Sequence, residues 1–225
     1  MFSDQKKLLD VAFGKTKPSC DGQKVYKHLV YKVFFDALSS AYPLFYEKVD
    51  KKKFEEVIYD FMSYGAKSRQ MWKMPNEFRK FVKKRGSFKE IPYVDDLLWF
   101  EWIDVKFMMI NHKREKQKKF SFKRSYILSK SCEIKKLKYR VFEKENFDTK
   151  GLFYLLAYYN TDEYRTLYIE ISEIMYIFLK KLKTKGLNRA IEFIVLETGQ
   201  STKEVKSFFN ETLIELAKKG IIEHQ

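Results

Sequence analysis

The chain has 225 residues, of which 45% are hydrophobic and 17% aromatic, enough apolar material for a packed core in one or two domains. Forty-five Lys and Arg residues against thirty Asp and Glu give a net charge of +15, a positive field that suits polyanions or acidic peptides without choosing between them. No uncharged apolar run approaches the ~18 residues of a membrane-spanning helix, and the opening MFSDQKKLLD is too charged for a signal peptide, so the expected location is cytoplasmic.

Cys20 and Cys132 stand far apart, and His28, His112 and His224 are scattered singly. Neither the paired spacing of a metal site nor a disulfide framework is present, so both cysteines are expected as reduced thiols and no metal or cofactor is expected. A glycine-rich phosphate loop is also missing from the sequence.

Residues 24–41 place Val25, Leu29, Val33 or Phe34, and Leu38 about one helical turn apart and stop before Pro43, which predicts an amphipathic helix with those residues inward. Asp50 is positioned to cap a second helix carrying Phe54, Val57, Ile58 and Phe61 and ending near Tyr64-Gly65. A third is expected from Pro75 through Phe78, Phe81 and Val82 to Gly86.

The stretch IPYVDDLLWFEW, residues 91–102, sets Asp95, Asp96 and Glu101 in a strongly apolar context. Pro92 fixes the entry, and Asp95 or Asp96 suits the positive start of a helix. The apolar residues from Leu97 to Ile110 then surround the axis, which reads as a central helix packed on most sides. Asp96 and Glu101 are separated by about 140° around a helix, so they cannot flank one substrate bond. Glu101 and Asp104 do lie on neighbouring positions, but without a histidine or a phosphate loop nearby to define a catalytic site. Glu101 is therefore expected to accept hydrogen bonds from a lysine, a tyrosine or a backbone group of another helix, because an unpartnered buried carboxylate is costly.

The basic run NHKREKQKKFSFKR begins at Asn111 and reads as a connector. It divides the chain into an N-terminal helical domain (1–112), a basic linker (113–124) and a C-terminal α+β domain (125–225). In the second half, GLFYLLAYYN and EYRTLYIEI flank the turn-forming Asn160-Thr161-Asp162 and predict a β-hairpin, with Leu167, Ile169 and Ile171 alternating against Thr166, Tyr168 and Glu170. Weaker strand signals in residues 126–142 suggest one or two more strands. Ser172 is expected to cap a helix that Gly186 ends, Leu187 to Glu197 to form the next, and Ser201 or Thr202 to start a last one presenting Val205, Phe208, Phe209, Leu213 and Leu216 inward. A hairpin followed by three helices is winged-helix-like in outline.

Tyr26-Lys27 opening a helix that runs to Tyr42-Pro43, Glu77-Phe78-x-x-Phe81, and Pro92-Tyr93-Val94 with Asp96 and Phe100-Glu101-Trp102 together resemble the HvfC/BufC family. These proteins were long labelled DNA-binding and are now regarded as peptide-modification chaperones. YLLAYYNTDEYRTLYIEIS, the helices after it and the ending GII are similar to the family's C-terminal domain and, more distantly, to the PqqD-type element that binds leader peptides. The resemblance implies a small adaptor that joins an HvfB/BufB-type iron enzyme, related to the pair that makes methanobactin, and presents a ribosomal precursor peptide for cysteine modification. The chemistry would belong to the enzyme, and this chain is expected to be non-catalytic, with Tyr26, Lys27, Pro43, Pro92, Tyr93, Asp96, Glu101 and Trp102 as structural or interface residues.

For peptide capture the expected route is strand addition along an edge formed by Thr166, Leu167, Tyr168, Ile169 and Glu170, beside a groove walled by Lys203, Lys206 and Asn210 of the last helix. The alternative is a DNA-binding regulator that uses the winged-helix-like domain and the basic surface. Glu204, Glu211 and Glu215 on the last helix weigh against it, since they would face phosphates.

Overall fold

The computed structural model describes residues 2–65, 70–110, 112 and 119–224. It is mixed helix and sheet, with helices first and a small sheet in the C-terminal part, and the chain divides into two compact units, Met1–Lys106 and Phe107–Gln225.

The first unit contains α1 (Phe2–Ala12), α2 (Asp21–Ala41), α3 (Pro43–Lys48), α4 (Lys51–Tyr64), a 3-10 turn (Met71–Lys73), α5 (Met74–Arg85) and most of α6 (Val94–Met108). The expected punctuation is present. Asp50 caps α4 by accepting the Lys53 N–H at 2.8 Å, and Gly86 closes α5 in the left-handed region at φ 66°, where a side chain would be strained. The core is rich in phenylalanine: Phe34, Phe45, Phe54, Phe61 and Phe78 are buried, with edge-on contacts such as Phe61–Phe78 at 5.5 Å between ring centres.

On α2 the buried face differs from the expected one. Tyr31, Phe34, Leu38 and Ala41 point inward, whereas Val25, Leu29 and Val33 form an exposed apolar stripe. Both sets recur at helical spacing, and the larger rings gain more by burial, so the aromatic set takes the core. Along α6, Leu97, Leu98, Trp99 and Ile103 are buried, while Met108 and Met109 at its end are exposed, so the apolar run is longer than the packed part.

The second unit holds β1 (Tyr126–Leu128), β2 (Cys132–Tyr139), β3 (Lys150–Asn160), β4 (Arg165–Glu170), α7 (Glu173–Thr198), α8 (Thr202–Lys218) and β5 (Ile222–His224). The strands β2, β3 and β4 form an antiparallel meander, and β1 pairs separately with β5. The predicted hairpin is present with Asn160 opposite Arg165, and Asn160 Oδ1 accepts the Asp162 N–H at 2.8 Å, a side-chain turn that reverses the chain. Gly186, at φ 78° and ψ 175°, breaks α7 into two helical segments. Helix α7 packs on β2 and β3, and α8 packs on α7 and β5.

Leu156, Tyr158, Phe178, Leu182, Ile191, Phe209 and Leu213 build the centre of this unit. Phe120 and Phe122, assigned to the linker from sequence, also pack against it; the rest of that linker, residues 113–118, lies outside the described residues. Phe208 departs from expectation. It is 66% exposed, because Val205, Phe209, Leu213 and Leu216 already fill the inward face of α8. Among the described residues no helix is long and apolar enough to cross a membrane.

Candidate functional site

Glu101, only 6% exposed, sits on α6 against the first turn of α3. Its Oε1 accepts the Leu44 N–H at 2.6 Å and its Oε2 accepts the Phe45 N–H at 3.1 Å. Pro43 occupies the first helical position, so Leu44 and Phe45 carry the two donors that an N-cap side chain usually satisfies. Tyr42 stands at the cap and lacks a short oxygen; its hydroxyl is engaged elsewhere, donating to the Pro75 carbonyl at 2.6 Å. Glu101 thus caps a helix from a distant part of the chain. Burial lifts its carboxyl to about 7, against the pull of the two N–H bonds, and Asp104 adds to the rise.

The other motif residues surround this arrangement. Asp95 receives Arg79 at 3.3 Å and Lys83 at 2.7 Å from α5, which ties the start of α6 to its neighbour. Asp96 is buried one position on. Pro92 and Tyr93 lie in the turn leading into α6, and the Tyr93 carbonyl accepts the Leu97 N–H at 2.9 Å. Trp102 lies beneath two cations, Arg79 and Lys106, at 5.8 and 5.6 Å from the ring. On α2, Lys27 lies 5.8 Å from the Tyr59 ring, and Tyr26 is half-buried. These contacts are those of a helix-locking network.

The second candidate lies on β4. Among the described residues this strand is hydrogen-bonded on one side only, to β3. The Ile171 N–H donates to the Tyr154 carbonyl at 2.9 Å, and the antiparallel register alternates from there. The backbone groups of Leu167 and Ile169 therefore face β3, whereas those of Thr166, Tyr168 and Glu170 point away from it. The side chains follow the predicted alternation, with Leu167, Ile169 and Ile171 against the core. At the end of the strand Glu170 pairs with Arg140 at 3.3 Å, and Arg140 lies 4.7 Å from the Phe153 ring.

The groove expected beside that edge takes a different form. Lys203, Lys206 and Asn210 line an open depression of about 450 Å³ together with Phe122, Ser207, Phe208, Glu211 and Thr212. No β4 residue lines it. Helix α7 covers β2 and β3, and α8 packs on α7 and on β5, so the strand edge and the α8 depression are two features.

The sequence reading missed the setting of His112. Its ring stacks on Tyr159 at 3.8 Å and 7°. Nε2 lies 2.5 Å from the Phe107 carbonyl and Nδ1 2.7 Å from Ser131 Oγ. A carbonyl only accepts, so Nε2 carries a proton, and in the neutral ring Nδ1 accepts from the Ser131 hydroxyl. The three partners are far apart in sequence, and only the folded strands bring them together. Cys20 is exposed and Cys132 buried, both as free thiols. Among the described residues no cluster of three or more His, Cys, Asp or Glu side chains could hold a metal ion.

No family model matches the chain, and no curated protein matches it.

Proposed function

We propose that the chain is a non-catalytic adaptor that binds an HvfB/BufB-type iron enzyme and a ribosomal precursor peptide, and presents the peptide for cysteine modification. The observation that carries this reading is the one-sided pairing of β4 among the described residues, which leaves the outward backbone groups of Thr166 and Glu170 available to an added strand. The net charge of +15 would attract an acidic leader. The exposed stripe of Val25, Leu29 and Val33, beside the motif residues Tyr26 and Lys27, is the kind of apolar helix face that suits a protein partner such as the enzyme. The identity of that enzyme rests on the resemblance of the motifs. Three strands followed by the kinked α7 and by α8 support a winged-helix-like, PqqD-like reading of the second unit.

The competing DNA-binding reading meets an unfavourable surface, since α8 exposes Glu204, Glu211 and Glu215 where phosphates would approach.

The test is co-purification of the full chain with a metalloenzyme and a short cysteine-bearing peptide encoded beside it, repeated with Thr166→Pro and with Ile169→Pro. Proline at position 166 removes an N–H from the outer edge and leaves the ladder to β3 intact, whereas at position 169 it removes a ladder donor. A folded Thr166→Pro variant that no longer retains the peptide is the expected result. Unchanged retention would remove strand addition from the account, and no association with the enzyme even with peptide present would remove the adaptor.

A further inference from the structure

The α8 depression has a composition that β4 does not share. Phe208 is exposed although its neighbour Phe209 is buried and stacked on Phe178 at 4.4 Å between ring centres. Phe208 contacts Phe209 edge-on at 5.0 Å, so a continuous line of rings runs from the core to the surface and holds Phe208 in place. Across the depression, Phe122 contacts Phe120 at 5.0 Å and carries the Lys206 ammonium 5.6 Å from its ring centre. Two phenylalanines therefore line an open hollow of about 450 Å³, room for one bulky side chain together with its neighbours on the same segment.

The charges around it are unevenly placed. Lys203 and Lys206 lie one turn apart near the N-terminal end of α8, where the helix dipole is also positive, and neither has a carboxylate partner among the described residues. The nearby Glu204 is committed to the capping box, with its Oε2 accepting the Ser201 N–H at 2.8 Å and its own N–H bonded to Ser201 Oγ. Glu211 lies two turns beyond Glu204, at the other end of the lining. An occupant should thus carry negative charge at the lysine end, a bulky apolar group in the middle, and no acid at the Glu211 end.

We propose that this depression is a docking site for an acidic peptide segment with one aromatic or large aliphatic anchor, the carboxylates meeting Lys203 and Lys206 and the anchor entering between Phe122 and Phe208. The inference rests on the peptide-adaptor reading and names the class of segment that the adaptor holds. A nucleic acid could also use lysines and rings, but Glu211 in the lining repels a phosphate chain, whereas a peptide can place its acids at one end only.

The probe is a fluorescein-labelled pentapeptide, Asp-Asp-Phe-Leu-Gly, titrated with the full chain and followed by fluorescence anisotropy. It is compared with Lys-Lys-Phe-Leu-Gly, with Asp-Asp-Ala-Ala-Gly and with a labelled oligothymidylate. Five residues are too few to pair along β4 with much affinity, so the pentapeptide reports on the α8 depression alone. Phe208→Ala and the charge reversal Lys206→Glu should each weaken it about tenfold or more. Phe208 and Lys206 lie at the surface, and circular dichroism establishes that the variants are folded. Selective binding of the acidic aromatic peptide, lost in both α8 variants, supports the site. Binding that is insensitive to Phe208→Ala, equal for the lysine peptide, or weaker than that of the oligothymidylate overturns it. A pentapeptide that fails to bind while a full-length precursor is retained through β4 would sink the pocket and leave the adaptor standing; failure of both would sink the two together.

Discussion

Glu101 accepts the Leu44 N–H at 2.6 Å, so the first turn of α3 is capped by a carboxylate from α6. The cap lies far away in sequence, and its strength depends on the packing of the whole first unit. Replacing Glu101 with alanine leaves two helix-terminal donors buried without an acceptor, and the expected loss is about 2–4 kcal/mol of folding stability. Urea unfolding measures it, and a loss below about 0.5 kcal/mol would show that the capping contributes little.

The same carboxyl makes stability depend on pH in an unusual direction. Its folded-state value of about 7 lies above the ordinary 4.5, so between these limits the folded chain holds a proton that the unfolded chain has released. The stabilising contribution is complete below about pH 4.5, falls as pH rises, and is lost above about pH 7. The stability of the wild type minus that of Glu101→Gln, taken from urea titrations at several pH values, should therefore fall, becoming less positive or more negative, from pH 5 to pH 7.5. A difference that is constant or that grows would contradict the shift.

Tyr42 is fully buried, and its hydroxyl donates to the Pro75 carbonyl. Burial pushes its ionisation well above the normal tyrosine range, so it remains a donor at any physiological pH. Tyr42→Phe keeps the ring and orphans the carbonyl, with an expected cost of about 1–3 kcal/mol. Thermal unfolding of the variant checks this, and an unchanged melting temperature would mean the carbonyl finds another donor.

Helix α8 begins with a capping box in which Ser201 and Glu204 satisfy each other's backbone donors. Ser201→Ala should cost about 1 kcal/mol, and the effect should be non-additive with Glu204→Ala because both act on one box. A double-mutant cycle by chemical denaturation distinguishes this from two independent surface changes.

At Gly186 an added Cβ would meet nothing closer than the Tyr126 carbonyl oxygen at 3.7 Å, an ordinary contact. The backbone there has φ 78° and ψ 175°, a region that is essentially glycine-only, so Gly186→Ala should destabilise by about 1–3 kcal/mol through conformation alone. Gly186→Asn should lose about as much, because asparagine's tolerance of positive φ is confined to the left-handed helical region. Equal stability of all three chains would place the kink elsewhere.

Local signals in the sequence located most of the elements. Asp50, Ser172 and Ser201 each announce a helix start because a short side-chain oxygen reaches donors two or three residues on, and Asn160 announces a turn for the same reason. Where two apolar sets compete at one period, periodicity could not decide. Val25, Leu29 and Val33 look as core-like as Tyr31, Phe34 and Leu38, and Phe208 looks as core-like as Phe209. The choice follows from what lies across the helix, which is a property of the fold.

The candidate sites divide along the same line. Alternation within EYRTLYIEI is local, so a strand with Leu167, Ile169 and Ile171 inward was legible, but whether that strand has one neighbour or two depends on the whole sheet. Lys203, Lys206 and Asn210 share a helix face by spacing alone, yet Phe122 completes their hollow from a stretch that reads as linker. That Glu101 needs partners followed from the cost of burying a carboxylate. That the partners are the N–H groups of Leu44 and Phe45, and that the ring of His112 lies on Tyr159, was settled only by folding, because a chain specifies its nearby contacts through short-range geometry and its distant ones through the packing of all its elements at once.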